Sequence, residues 1–564
     1  MVTPGMKNRR KVLVVGLDGA TLDLVEPWAN EGILPTLKRL MDEGVRGPLR
    51  STIPPITGPA WTSFATGTNP GKHGLYDFLG RQPGTYRLAS FNATHRHGAS
   101  LWRILSQAGK KVGVLNVPLT YPPEPVDGFL ITGLLTPPDA EDYCYPEAIG
   151  EGLRTAVPDY VVQPDANFDA HGREMELVQV VCETSAMRME ATRHLLRVLD
   201  WDFFMVVFTA TDTMQHAFWH FMDTSHSKHE ATAPRQLRDA IMECYRQLDG
   251  YLGEILDMAD DDTYVIVMSD HGFGPLEKYI HMNTWLWREG FLRFKATPVT
   301  LVKRAFFRLG FTPLNVYRLL RKLGQAGNVA KTVRRRKQRT RNLLDRCFLS
   351  FEDIDWKRTR AYSVGNVGPV FVNLHGREPE GAVELGRDYE SVLDELTHAL
   401  LGLRDPATGQ TIIGEVHRRE DIYSGPCLEQ APDLFCIPRD WKYAAFGLLQ
   451  FPSDNWLEPP FDRTGGHRMH GLLLSKGPGM RSSYRMDGAS IVDLAPTILA
   501  LLEVPIPSDM DGQVLASLFT DDFRRRLQIK RSAEMFEGAY SPATFSREDE
   551  EAVHDILKGL GYVG

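Results

Sequence analysis

The sequence predicts an α/β fold, a mostly parallel central sheet with helices on both faces, broken by a basic helical insertion. Three observations predict it. Short apolar runs rich in β-formers alternate with longer helical patterns. The runs are apolar throughout, not at every second residue, as in strands covered on both faces. One stretch, Thr300 to Arg346, breaks the alternation with 14 Lys or Arg and a single acid, Asp345.

The first strand is expected at Lys11–Leu17. It follows a basic start, MVTPGMKNRR, but its apolar part is too short for the core of a signal peptide and runs straight into Asp18. Further strands are expected at Lys111–Val117, Phe203–Phe208 and Tyr264–Met268. Helical patterns at Pro35–Glu43, Leu101–Ala108, Leu177–Leu199 and Leu237–Met258 lie between them. The theme returns near the C-terminus, with Gly471–Leu474 as a strand and Ile491–Leu502 as a helix. These elements divide the chain into a main α/β domain at 1–285 and 355–520, a basic insertion at 286–354 and a helical tail at 521–564.

With 564 residues the chain can bury a large core, in more than one domain or in one domain with insertions. The net charge of −8 gives no global reason to expect nucleic acid. Six widely spaced cysteines without a CxxC pair point to reduced thiols and a cytoplasmic protein. No segment approaches the roughly 20 apolar residues of a membrane span. Two readings of the basic stretch stand side by side. One is a solvated helical insertion whose basic face points to water. The other is a cap facing an anion or a membrane surface, since basic amphipathic helices bind anionic lipid.

The chemistry lies in scattered Asp and His residues. Asp18 follows the first apolar run, Asp212 and His216 lie in TATDTMQH, Asp270 and His271 end YVIVMSDHGFG, and His467 sits in TGGHRMHG. Three of these sites follow or end a run of strand length, where open α/β sheets place their ligands. Carboxylates with imidazoles suit Zn²⁺, Mn²⁺ or related ions. The spacing of Asp212 and His216 aims both at one point on a helix. Asp270 and His271 would face opposite ways on a regular strand. In a turn permitted by Gly272 and Gly274, both reach metal, on one ion or on two. An isolated Asp-His pair reads as structural chance; five sites sharing this context do not.

Thr57 precedes Gly58-Pro59 and a helical stretch, AWTSFATG. Locally it reads as an N-cap. The same place suits catalysis, because a helix N-terminus attracts an anionic phosphate and a metal-bound hydroxyl becomes a competent nucleophile. Two three-residue metal sites and one hydroxyl nucleophile can thus be drawn from the set, the equipment of a binuclear metallohydrolase. His73 reads as structural, and His220, His226, His229 and His281 as surface or satisfied histidines.

LDGAT, PPITGPAWTSFATGTNPGKHG, TDTMQH, SDHGFG and GGHRMHG resemble, in that order, the type I phosphodiesterase/nucleotide pyrophosphatase family of the alkaline phosphatase superfamily. VFVNLHGREPEG and IVDLAPTILALLEVPIPSDMDG are further likenesses, and the resemblance runs from Lys11 to Leu515. It implies an alkaline-phosphatase-like sheet and two divalent ions, Zn²⁺ first and Mn²⁺ as the alternative. By its implied assignment, Asp18, Thr57, Asp270 and His271 hold one ion, and Asp212, His216 and His467 hold the other. Thr57 attacks phosphorus, and a small-molecule phosphoester is the substrate. Both His467 and His470 could reach a metal; the family pattern of His-Arg followed shortly by Gly favours His467.

Sulfatase relatives need Cys or Ser in a Cys/Ser-x-Pro-x-Arg setting, which Thr57-Gly-Pro-Ala-Trp lacks. Phosphoglycerate mutase relatives use Ser with additional basic residues that the sequence does not reveal. A Thr nucleophile favours diesters or pyrophosphates within the resemblance. The alternative function is a phosphotransferase or phosphatase at a membrane surface, acting on a lipid- or glycan-linked phosphate, with residues 300–346 holding the anionic surface. The complete ligand set argues against a non-catalytic binding protein on the same fold.

Overall fold

Val12–Leu17 carries no polar side chain, so it has two apolar faces to cover. In the computed structural model, which describes residues 9–163, 172–322, 347–533 and 545–559, both are covered. Leu13, Val15 and Leu17 pack with Val25, Leu37, Met214 and Leu248 from helices on one side. Val12 and Val14 pack with Trp61, Phe64, Leu101 and Leu494 from helices on the other. Each such large side chain, fully buried, contributes about 1.5–3 kcal/mol.

Five adjacent strands form the parallel centre of the sheet, in the order Tyr264–Met268, Val12–Leu17, Phe203–Phe208, Val112–Val117 and Gly128–Thr132. His470–Lys476 extends it antiparallel beside Tyr264–Met268, and Val45–Arg50 follows. Phe203–Phe208 and Tyr264–Met268 have the expected bounds. The expected Leu237–Met258 helix is divided, with Arg235–Arg238 ahead of Ala240–Asp257.

The chain between residues 278 and 458 builds two further four-stranded sheets around a core of their own. Most of their strands have two to four residues, but Ile413–Arg418, Leu434–Pro438 and Tyr443–Gly447 match the central strands in length, and sequence reasoning missed these as well. Asp433 sits at the heart of this region, fully buried. It accepts both Arg377 Nη atoms at 2.9 and 2.7 Å, the Tyr389 hydroxyl at 2.8 Å and the Val372 amide at 2.7 Å. VFVNLHGREPEG therefore carries a structural ion pair. Burial pushes the Asp433 carboxyl up, but Arg377 and Arg419 more than offset this and hold it below the usual range. Arg377→Ala leaves that carboxylate buried and short of its main partner. It is expected to cost about 3–5 kcal/mol at neutral pH, read by urea denaturation. A depressed folded pKa contributes stability that is complete above the unfolded value of ~3.9 and is lost as pH falls through the folded value. The gap between variant and parent should therefore narrow below about pH 4; a gap that widens there contradicts the assignment.

The basic stretch begins with two helices, Pro298–Arg308 and Pro313–Lys322. Residues 323–346 of the expected insertion, and 534–544 and 560–564 of the expected tail, lie outside the described residues. The first helix does not present a basic face to water: Lys303 is turned inward, and the exposed side is largely apolar. Among the described residues no helix is long and apolar enough to cross a membrane, and all six cysteines are free thiols.

Candidate active site at the carboxyl end of the sheet

Strand order decides what meets at this end. Val12–Leu17 lies between Phe203–Phe208 and Tyr264–Met268, so three neighbouring parallel strands deliver side chains to one edge. Asp18 follows the first strand directly. Asp212 and His216 occupy successive turns of the Ala210–Met222 helix behind the second. Asp270 and His271 follow the third. Gly19 has φ +68°, and a Cβ there would lie 3.0 Å from Phe273. This turn lets the Gly19 amide donate to Asp270 Oδ1 at 3.1 Å.

Past Asp270 the chain departs from expectation. Gly272–Pro275 is a strand, not a turn, and pairs antiparallel with Gly465–Arg468. The glycines serve close approach. A Cβ on Gly272 would lie 2.0 Å from the His470 carbonyl oxygen, and one on Gly274 would lie 2.6 Å from the Arg468 guanidinium. The register sets Phe273 opposite His467 and so carries His467 to the sheet end. His470 starts the next strand, exposed and apart from the cluster.

Two groups of potential ligands result, Asp18 with Asp270 and His271, and Asp212 with His216 and His467. All six are buried, and the ligand atoms within each group lie within 4.8 Å of one another. The His271 and His467 rings stack with centroids 3.7 Å apart, so the groups abut. Each histidine sets Nδ1 against a backbone carbonyl: His216 against Gly465 at 2.9 Å, His467 against Pro55 at 2.8 Å, and His271 against Gly272 at 3.1 Å. The ring proton belongs at Nδ1 in that setting, leaving the Nε2 lone pair directed inward.

This arrangement fits divalent cations. His216 Nε2 and His467 Nε2 stand 3.0 Å apart, and Asp212 Oδ1 lies 3.4 and 3.3 Å from them. Three electron-pair donors converge there. Asp18 Oδ1, Asp212 Oδ1 and Asp270 Oδ2 are buried and accept no hydrogen bond among the described residues. Burial, then the charges of Asp270 and Asp212, hold the Asp18 carboxyl well above its ordinary range. Burial is also the main cause that lifts Asp270 to about 8, with the Gly19 amide opposing and Asp212 adding. Burial, aided by His271, lowers His467 to about 3, so its ring is neutral and competent as a ligand. Carboxylates crowded in this way are relieved by bound positive charge.

Thr57 is the first residue of the Thr57–Thr66 helix; its N-cap is Ile56, and no side chain caps the helix. Its hydroxyl instead lies 3.3 Å from His271 Nε2, beside the first group. Trp61, one turn further on, donates Nε1–H to Asp18 Oδ2 at 3.1 Å. Gly16 makes room for that indole, since a Cβ there would sit 2.6 Å from it. Sequence reasoning misses Trp61, although its spacing from Thr57 places both on one helix face. A cavity of about 40 Å³ is lined by Ile56, His216 and His467 and by Asn366, Trp441 and Arg463. Arg463 is buried and lies over the Phe446 ring at 5.4 Å. No spacing in the sequence points to these last residues.

The other histidines that the sequence singles out each have a structural partner on at least one ring nitrogen. His73 bonds Ser63 at 2.8 Å, His226 bonds the Leu276 carbonyl at 3.0 Å, and His281 pairs with Glu458 at 3.2 Å. His220 meets Thr464 at 2.9 Å, and His229 meets the His220 carbonyl at 2.9 Å.

The family model for type I phosphodiesterase / nucleotide pyrophosphatase matches residues 12–450. The chain belongs to that family, and its class of activity is that of a phosphodiesterase or pyrophosphatase hydrolase. Solved structures of low identity resemble it over most of both chains. Human ectonucleotide pyrophosphatase / phosphodiesterase 5 is 13% identical, with 89% of this chain and 97% of that chain covered and a TM-score of 0.46. Phosphonoacetate hydrolase from Sinorhizobium meliloti, in complex with phosphonoformate, is 14% identical, with 88% and 96% covered and a TM-score of 0.49. An inactive form of the murine phosphodiesterase 5, in complex with AMP, is 14% identical, with 88% and 95% covered and a TM-score of 0.45. No curated protein matches the sequence.

Proposed function

We propose that this member of the type I phosphodiesterase family cleaves a phosphodiester or pyrophosphate bond of a small molecule, with Thr57 as the nucleophile and two divalent ions as cofactors. The observation that carries the reading is the Thr57 hydroxyl, 3.3 Å from His271 Nε2 at the junction of two buried ligand groups. Asp18, Asp270 and His271, with Thr57, would hold one ion; Asp212, His216 and His467 would hold the other. The mix of oxygen and nitrogen donors favours Zn²⁺, with Mn²⁺ as the alternative. Such ions, when bound, acidify a hydroxyl and stabilise charge on the attacking and leaving oxygens.

Thr57 sits where the positive end of its helix faces the incoming phosphoryl group. Its Oγ1 gives up a proton to solvent and bonds to phosphorus while the bond to the leaving oxygen breaks in line and that oxygen leaves with the electron pair, taking a proton from solvent. Water then attacks phosphorus and yields a proton to solvent, the bond from phosphorus to Thr57 Oγ1 breaks, Oγ1 is reprotonated, and the phosphate product departs. Trp61 holds Asp18 in place through its indole N–H. Arg463 lines the adjoining cavity and is our candidate for the cation that meets phosphoryl oxygens.

Exhaustive chelation followed by re-addition tests the cofactor. Turnover of a nitrophenyl phosphodiester should vanish with the chelator and return with Zn²⁺ or Mn²⁺. Turnover that survives thorough chelation would refute the metal reading.

A further inference from the structure

The Pro298–Arg308 helix is inverted relative to an ordinary surface helix, which buries its apolar stripe and exposes its polar one. Its buried side carries Thr300, Lys303 and Phe307. Thr300 Oγ1 donates to Asp353 Oδ1 at 3.0 Å, and Lys303 Nζ donates to Asp353 Oδ2 at 2.9 Å. Phe307 packs near Trp287 and Phe451. Thr297 caps the helix by accepting from the Thr300 amide at 3.2 Å.

The outward side is apolar. Val299 is 64% exposed, Val302 55%, Phe306 52% and Leu309, just past the end, 82%. Leu301 and Phe311 join them, so six of the fourteen exposed large apolar side chains among the described residues lie between Val299 and Phe311. Scattered exposed apolar residues need no explanation, but a concentrated patch marks an interaction surface.

Charge selects the partner. No Asp or Glu occurs between Glu289 and Asp345. Lys295 and Arg308 are exposed beside the patch, and Arg304 and Arg308 flank it over the Trp287 ring at 5.8 and 5.6 Å. Glu352 lies beside Lys295, but the cations outnumber it, and a second copy of the chain would bring this basic rim against its like. Residues 323–346 hold eight Lys or Arg and one acid, so they too would set cation against cation. An anionic bilayer supplies what the face lacks, acyl chains for the apolar side chains and phosphates for the rim.

We propose that the Val299–Phe311 face docks in the plane of an anionic lipid surface. The following helix packs Tyr317 near Phe461, with ring centroids 6.2 Å apart, two residues before Arg463. The helix that follows the docking face thus touches the loop that carries Arg463. Exposure and charge alone support this docking face, independently of the catalytic reading.

The test is sedimentation of the full chain with vesicles of phosphatidylcholine, alone or mixed with phosphatidylglycerol, at low and high salt. The parent should sediment with the anionic vesicles at low salt and be released by high salt. The triple variant Val302→Ser/Phe306→Ser/Leu309→Ser removes exposed side chains only; it should keep the parent's melting temperature and lose at least about tenfold in partitioning. Lack of binding to anionic vesicles at low salt overturns the proposal, as does equal binding by the triple variant or to phosphatidylcholine alone. Two outcomes would reassign the face. Dimerisation in light scattering that the triple variant abolishes would give it to a second copy. A polarity-sensitive dye on Leu309→Cys that is already shielded without vesicles would give it to the chain's own residues.

Discussion

Thr57→Ala is expected to lose at least about a thousandfold in turnover of a nitrophenyl phosphodiester, because covalent catalysis disappears with the attacking oxygen. The same variant should keep the parent's content of divalent metal, measured by emission spectroscopy, and its stability. The local structure explains the separation. Ile56, not Thr57, is the N-cap, and the Thr57 hydroxyl makes no capping bond, so alanine removes no helix cap. What alanine takes away is the hydroxyl's approach to His271 Nε2 at 3.3 Å. The carboxylates and imidazoles of both groups stay in place. Thr57→Ser, which retains an oxygen at the same position, should keep measurable turnover and form a phosphorylated enzyme on rapid quenching. Parent-like rates in the alanine variant would remove Thr57 from the reaction. A large loss of metal would mean that the threonine serves chiefly as a ligand.

How much of this site a single sequence can reveal follows from how each residue is positioned. Asp18 and Asp270 are legible because strands buried on both faces are apolar throughout, so the polar residues that follow them, Asp18 after one and Ser269-Asp270-His271 after the other, mark the end of the sheet. Asp212 and His216 are legible because one helical turn separates them. Trp61 obeys the same rule from Thr57, yet nothing in its residue type suggests a site. The Gly272–Pro275 strand reads as a turn in the sequence. Its glycines look like turn residues, but they are there because the His470 carbonyl and the Arg468 side chain pass too close for a Cβ. That closeness comes from pairing with residues almost two hundred positions away, which no local pattern records. Arg463, Asn366 and Trp441 reach the cavity from loops and short strands of the region between residues 278 and 458 and its flank, where no periodicity marks a functional face. The Pro298–Arg308 helix shows the limit of composition. Its basic content suggests a solvated basic face, but Asp353, far along the chain, draws Lys303 inward and turns the apolar side out.

The second large effect concerns the two ligand groups as separate sites. If the parent binds two divalent ions as proposed, Asp212→Ala should bind one, and Asp270→Ala should also bind one, each losing at least about a thousandfold in turnover. Retention of one ion is expected because each group has its own convergent donors and its own backbone anchors. His216 and His467 are oriented by the Gly465 and Pro55 carbonyls, while His271 is oriented by the Gly272 carbonyl. Loss of both ions in either variant would mean a single cooperative site. The same measurement decides between the two histidines of GGHRMHG. His467 Nε2 lies 3.3 Å from Asp212 Oδ1 and 3.0 Å from His216 Nε2, whereas His470 is exposed and stands apart from both groups. His467→Ala should therefore reproduce the stoichiometry of Asp212→Ala, and His470→Ala should leave two ions bound. The reverse pattern would require the Gly465–Arg468 strand to shift its register by an odd number of residues, turning His467 out and Phe273 away from its present partner. The close packing of Gly272 against the His470 carbonyl opposes such a slip.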